Sequence, residues 1–274
     1  MTSPTTNTTT NRTPRPLAVV TGASSGIGLE LAKVFAEHGY DLLVVAEDEG
    51  IDTAAAELRA AGTQADAVRA DLAQREGVHQ VVERIRALGR PVDALALNAG
   101  VGVGGAFLDN DFGDELNLIN LNVVSVVHLA KHVMRDMAAR GAGRVLFTSS
   151  IAAEMPGPFY AVYAASKAFV QSFAEAVRNE MKDHGVTVTS LQPGATDTNF
   201  FAGAGMEDTK AGTGPKSDPA DVARQGFEAL MAGKDHVVAA MAMEKVQTLL
   251  AQVTPEPALA AMHRKQTEPG SGNK

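Results

Sequence analysis

Short apolar runs alternate with helical-period segments along this chain from Leu17 onward. The runs, several of them β-branched, fall at residues 17–21, 41–46, 65–70, 94–98, 144–149 and 186–192. Between them, apolar residues recur at helical spacing over 27–38, 53–61, 78–88, 112–140 and 163–184. A strand that is apolar throughout is buried on both faces, and an intervening helix lets the next strand run parallel to it. The pattern predicts an α/β fold, a doubly wound parallel sheet in one domain over residues 17–253, with right-handed crossovers.

The rhythm breaks at 199–219, where Gly203, Gly205, Gly212, Gly214, Pro215 and Pro219 leave few core candidates. A loop of about 20 residues inside a compact domain is functional or disordered, and this one is read as a substrate loop. Asp218 and Pro219 then suit the N-cap and first position of a helix running to about Met231. Beyond Asp235, residues 237–253 are rich in Ala, Met and Leu, and Pro255 and Pro257 interrupt them before 258–265. This reads as a docking helix followed by a C-terminal helical extension and tail, 254–274. Glu244 and Lys245 interrupt the apolar run, which argues against a membrane anchor.

Composition narrows the function classes. Apolar residues make up 45% and charged residues 20% of 274, with a formal net charge of −8. That balance suits a large core and disfavours a nucleic-acid surface. The absence of cysteine excludes disulfides, thiolate nucleophiles and cysteine zinc sites. His128 and His132 are four apart on a predicted helix, but no third ligand is evident and no metal site is assigned. Residues 1–16 are threonine-rich, lack the apolar run of about 7–15 residues that a signal peptide needs, and read as a disordered tail. A cytoplasmic protein with no membrane or nucleic-acid partner is expected.

The candidate chemistry sits in four groups that follow one another in a fixed order. The first, Thr21-Gly22-Ala23-Ser24-Ser25-Gly26-Ile27-Gly28, joins a buried strand to an amphipathic helix. Glycines allow positive φ and close approach of a ligand, and the helix N-terminus offers N–H groups to a pyrophosphate. A plain glycine turn would read the same from this string alone. The others are Asn98-Ala99-Gly100 after the fourth strand, Ser150 after the fifth, and Tyr163-Ala-Ala-Ser-Lys167 opening a helix. Carbonyl reduction needs a proton donor at the oxygen. Tyr163 and Lys167, four apart, share one helix face, where an ammonium would lower the phenol pKa. Tyr160 has Ala164 at that spacing and is not the partner.

Together these groups resemble the short-chain dehydrogenase/reductase family over about residues 16–235. The resemblance implies a Rossmann-like fold and an NAD(P)-dependent oxidoreductase moving hydride between the nicotinamide and a carbonyl or secondary alcohol. It implies Tyr163 as general acid/base, Lys167 tuning it and binding the nicotinamide ribose, and Ser150 (13 residues before Tyr163, in preference to Ser149) steadying the oxyanion. Asn122 would support a proton relay through a held water. Its bland alternative is an asparagine bonded to a neighbouring helix. For the cofactor the resemblance implies Gly22, Ser24, Ser25, Gly26, Ile27 and Gly28, then Asp71 and Leu72 at the adenine, then Asn98, Ala99 and Gly100. Leu97 replaces the family's first asparagine before that last group. Pro193, Gly194, Thr196 and Thr198 match the segment that holds the carboxamide.

After the second strand the chain reads Val45-Ala46-Glu47-Asp48, matching neither the family's NAD nor its NADP pattern. Glu47 and Asp48 would repel a 2′-phosphate, so NAD is expected over NADP. Met155, Phe159, Tyr160, Phe200, Phe201 and Met206 suggest a moderately hydrophobic small-molecule substrate. A homodimer or homotetramer is expected, although the C-terminal departure puts the usual tetramer in question. An epimerase, or a catalytically silent nicotinamide-binding sensor, would share the pocket.

Overall fold

The structure is a computed structural model that describes residues 15–251 and 254–273. All but the last two residues of the predicted N-terminal tail lie outside them. The strands are β1 (Leu17–Thr21), β2 (Asp41–Ala46), β3 (Ala65–Arg69), β4 (Ala94–Leu97), β5 (Gly143–Thr148), β6 (Val186–Pro193) and β7 (His236–Ala239). They form one parallel sheet in the order β3-β2-β1-β4-β5-β6-β7. The order reverses beside β1, so a crevice opens at the carboxyl ends of β1 and β4.

Alternation within the strands sends side chains to two cores. Leu17, Val19, Leu43 and Val45 join Leu129, Val133 and Met137 of α5 (Ser125–Arg140) and Val78, Val81 and Val82 of α3 (Arg75–Ala87). Ala18, Val20, Leu42 and Val44 join α1 (Gly26–Glu37), α2 (Gly50–Ala60) and α9 (Pro219–Met231) on the other face. Phe35 on α1 is fully buried between Tyr40 and Phe227, with ring centroids 5.1 Å from each. Burying a side chain of this kind contributes about 1.5–3 kcal/mol and locks α9 against α1.

Three expectations are corrected. The single helix expected over 112–140 is α4 (Phe112–Ile119), a π-helical turn (Asn120–Val124) and α5. The expected docking segment begins with a strand, β7, parallel to β6, and only then forms α10 (Ala242–Ala251). The loop 199–219 carries two short helices, α7 (Phe200–Gly203) and α8 (Lys210–Thr213), and buries Ala204, Met206 and Thr209. The cap expected at Asp218 is present: its carboxylate accepts from the Ala220 N–H at 2.8 Å. The C-terminal extension forms α11 (Glu256–Thr267). No described helix is long and apolar enough to cross a membrane.

Candidate active site

A cavity of about 970 Å³ runs along the carboxyl ends of the strands, from Ser24 and Glu47 at one end to Tyr163 and the C-terminal helices at the other. Its floor begins at the β1–α1 turn. Gly22 has φ +66°, and a Cβ there would stand 2.9 Å from Ala99 Cα, so the turn closes only around glycine. Ser25, the N-cap of α1, makes no side-chain capping bond. First-turn N–H groups of α1 therefore remain available to an anion, and the cradle fits a dinucleotide pyrophosphate. Gly22, Ser24, Ser25, Gly26 and Ile27 line the cavity; Gly28 does not, being packed against the Gly22 carbonyl.

At the adenosine end, Leu72 lines the cavity, but Asp71 turns away to accept from the Ala73 N–H at 2.8 Å. Glu47 and Asp48 both line it. Asp48 is the fixed carboxylate, accepting from Ser24 Oγ at 2.6 Å and the Gly50 N–H at 2.9 Å. Glu47 is exposed, its carbonyl accepting from Arg69 Nε at 3.0 Å while Arg69 Nη1 pairs with Glu49 at 2.9 Å. Asn98, Ala99 and Gly100 line the centre. Thr21 Oγ1 accepts from the N–H groups of Asn98 and Ala99 at 3.0 and 3.1 Å, tying β4 to β1. Opposite them, Pro193, Gly194, Thr196 and Thr198 line the wall.

Ser150, Tyr163 and Lys167 meet at the inner end, all buried. Ser150 caps a 3-10 turn (Ile151–Glu154), accepting from the Ala152 N–H at 3.1 Å. Ser149 also lines the cavity, but its hydroxyl donates to the Lys167 carbonyl at 3.0 Å. Tyr163 and Lys167 lie on α6 (Ala161–Met181), with Nζ 5.8 Å from the ring centroid. Lys167 Nζ donates to the Thr148 carbonyl at 2.9 Å.

The phenol does not fall as the sequence suggested. Burial pushes Tyr163 up to about 12, with the Ser150 hydroxyl pulling the other way, and burial pushes Lys167 down to about 8. Loss of hydration penalises the charged form of each group. At neutral pH Tyr163 is therefore a neutral phenol with a proton to give.

Asn122 sits in the π-helical turn, behind the cavity wall. Its Nδ2 donates to the Val101 carbonyl at 2.9 Å and to Ser166 Oγ at 3.1 Å, and its Oδ1 accepts from the Val101 N–H at 3.0 Å. It fastens the strand-end loop to α6. A Cβ on Gly100 would lie 3.1 Å from Asn122 Oδ1 and 3.3 Å from Lys167 Nζ, so Gly100 lets the two approach.

Met155, Tyr160, Phe200, Phe201 and Met206 line the substrate end, whereas Phe159 does not. The sequence reading missed the C-terminal contribution. Glu244 accepts from the Ala195 N–H at 2.9 Å, inside the segment after β6, and its isolation in an apolar run was the available signal. His263 bonds Tyr160, and nothing in its sequence neighbourhood marks it. His128 does have a third histidine beside it, His79, but among the described residues no group of three His, Cys, Asp or Glu is arranged to hold a metal.

Residues 16–208 match the sequence profile of the family described as short chain dehydrogenase. This chain belongs to that family. It is 34% identical over 182 residues to the oxidoreductase UcpA of Salmonella typhimurium, a match covering 66% of this chain and 69% of the relative. Among solved structures, a short-chain dehydrogenase from Sphingobium yanoikuyae in complex with NADPH superposes with a TM-score of 0.79 at 28% identity, covering 87% of this chain and 93% of the other. A bulky-bulky ketone specific alcohol dehydrogenase from Comamonas testosteroni does so with a TM-score of 0.76 at 27% identity, covering 88% and 92%. The short-chain dehydrogenase is an oxidoreductase whose fold neighbours hold a nicotinamide cofactor.

Proposed function

We propose that this short-chain dehydrogenase reduces apolar ketones or aldehydes, or oxidises the matching alcohols, with Tyr163 as the general acid/base. The observation that carries the reading is the buried meeting of Ser150, Tyr163 and Lys167 at the end of a cavity that begins at the Gly22 turn. The nicotinamide, when bound, supplies or takes up the hydride. Tyr163 in its neutral form gives its proton to the carbonyl oxygen as charge develops there, and Ser150 steadies that oxygen with its hydroxyl. Lys167, held by the Thr148 carbonyl, presents positive charge to the phenolate that remains and would be the residue that holds the nicotinamide ribose. Asn122 gives both amide hydrogens to Val101 and Ser166, so any water it holds for the relay would be bound through its oxygens.

The test is a screen of carbonyls and alcohols followed by reduced-nicotinamide absorbance. Tyr163→Phe should lower kcat at least about 10²-fold, the scale of general-acid catalysis, with the cofactor dissociation constant within threefold of wild type. Near-normal turnover in Tyr163→Phe would remove the assignment.

NAD is the cofactor in this reading, supported by the carboxylates of Glu47 and Asp48 after β2, the latter fixed by Ser24 and Gly50, which would repel a 2′-phosphate bound there. Glu47→Arg together with Asp48→Ser should reverse the preference by tenfold or more, about 1.4 kcal/mol, at fixed salt. A wild type that binds NADP(H) more tightly would transfer the role to Arg69. A cytoplasmic homo-oligomer completes the proposal. Exposed Phe112 and Leu116 on α4 and Phe169 on α6 offer an apolar face for a second copy. A monomeric mass by light scattering would contradict it.

A further inference from the structure

The loop that leads into α6, residues 156–160, is held by α11 on one side, and by the Gly105 N–H, which donates to the Phe159 carbonyl at 2.8 Å, on another. His263 Nδ1 is 3.0 Å from the Pro156 carbonyl, and Thr267 Oγ1 donates to the Pro158 carbonyl at 2.8 Å. The Arg264 guanidinium stands 4.9 Å from the centroid of Phe159. Phe159 is the one non-glycine residue among those described with positive φ, at +62°, a conformation that persists only where its surroundings impose it.

The fourth contact reaches the site. Tyr160 Oη lies 2.6 Å from His263 Nε2, and the Tyr160 ring stacks on Tyr163 with centroids 5.7 Å apart and planes at 21°. The tautomer follows from the partners. A carbonyl can only accept, so Nδ1 carries the hydrogen, Nε2 accepts, and the Tyr160 hydroxyl donates to it. Burial keeps His263 below the usual imidazole value and Tyr160 above the usual phenol value, so both are neutral near pH 7.

The cavity that Tyr160 lines is rich in methionine. Met155, Met206, Met241, Met243 and Met262 line the cavity, half of the ten in the chain, and three of them come from beyond β7. Methionine accommodates apolar bodies of irregular shape.

We propose that α11 is a built-in wall of the substrate end, and that His263 is a positioning residue which, through Tyr160, fixes the aromatic surface against which the bulky apolar substituent of the substrate packs. The proposal rests on the carbonyl-reductase reading above and adds to it the substrate class and the residue that selects it. Selectivity arises because a Tyr160 ring freed from His263 can turn, removing the flat surface while leaving Ser150, Tyr163 and Lys167 in place.

The experiment measures KM, kcat and cofactor dissociation constants for wild type, His263→Ala, His263→Gln, Tyr160→Phe and the Tyr160→Phe/His263→Ala double variant, with alkyl aryl ketones of increasing size. His263→Ala should raise KM tenfold or more for the larger ketones, with kcat within threefold and cofactor affinity unchanged. His263→Gln, which can still accept from the hydroxyl, should restore KM to within threefold of wild type. The double variant should be no worse than the worse single one, because the pair acts as a unit. An unchanged KM in His263→Ala, or a parallel loss of kcat and cofactor affinity in the variants that fold, would overturn the proposal. Should His263→Ala not fold, His263→Gln and Tyr160→Phe decide by the same criteria. Ketone binding to the cofactor-loaded Tyr163→Phe protein, with and without His263→Ala, is measured by calorimetry and needs no turnover. Wild type that is inactive on every ketone while binding is lost with His263 would sink the catalytic reading and keep the wall. Absence of both turnover and ketone binding would sink both.

Discussion

The pair Tyr163 and Lys167 shows what residue spacing can and cannot say. A separation of four places both side chains on one face of a helix, and that part was legible. The electrostatic consequence was not, because a spacing of four does not say that the fold buries both side chains. The same burial gives a prediction. Lys167 titrates near 8 in the fold and near 10.5 when free. Between those values the unfolded chain binds more protons, so stability should rise with pH across that window. Tyr163, raised from 10.0 to about 12, acts in the opposite direction only above pH 10. Urea unfolding at pH 7.5 and 9.5 should therefore show wild type gaining about 1–2 kcal/mol relative to Lys167→Met. A constant difference between the two proteins would mean that Lys167 keeps its proton when buried.

Elements were legible where they are long or buried on both sides. β1, β2 and β6 are apolar runs bounded by turns, and the expected and observed ends agree within about a residue, the usual scatter. β7 was missed because it is a four-residue edge strand, half-exposed, whose pairing with β6 is decided by tertiary contact. The π-helical turn was missed for another reason. A single residue of extra spacing does not disturb a 3.6-residue pattern over 112–140, yet it turns Asn122 toward Val101 and Ser166. The start of α9 was fully legible, since Asp218 and Pro219 carry the capping signal themselves. Asp218→Ala should cost about 1 kcal/mol by leaving the Ala220 N–H unpaired. The urea midpoint should drop with the slope unchanged; a changed slope would mean that the adjoining loop has altered its structure.

At the scale of the molecule, the candidate cofactor residues come from turns at the ends of five strands, and their convergence follows from the strand order. Sequence order predicted that convergence, because a doubly wound sheet puts all strand ends at one edge. It could not predict that the chain beyond β7 would fold back over the same edge, since a helix of Ala, Met and Leu carries no address. A dinucleotide lying across β1, β2, β4 and β6 would bridge both halves of the sheet, so its binding should stabilise the whole fold. At a hundred times the dissociation constant the gain is about 2.7 kcal/mol. At about 2–4 °C per kcal/mol for a chain near this size, Tm should rise by roughly 5–10 °C. Gly22→Ala should reduce that rise to below about 2 °C, because the added methyl meets Ala99 Cα and forces a strained φ where the pyrophosphate would sit. Tyr163→Phe should keep the full rise, since the phenol serves proton transfer and the pyrophosphate cradle is untouched. Scanning calorimetry with NAD and NADP separates these outcomes without any substrate. A wild type that neither cofactor stabilises would contradict the assignment of the cavity, and a Gly22→Ala protein with an undiminished shift would move the pyrophosphate away from the β1–α1 turn.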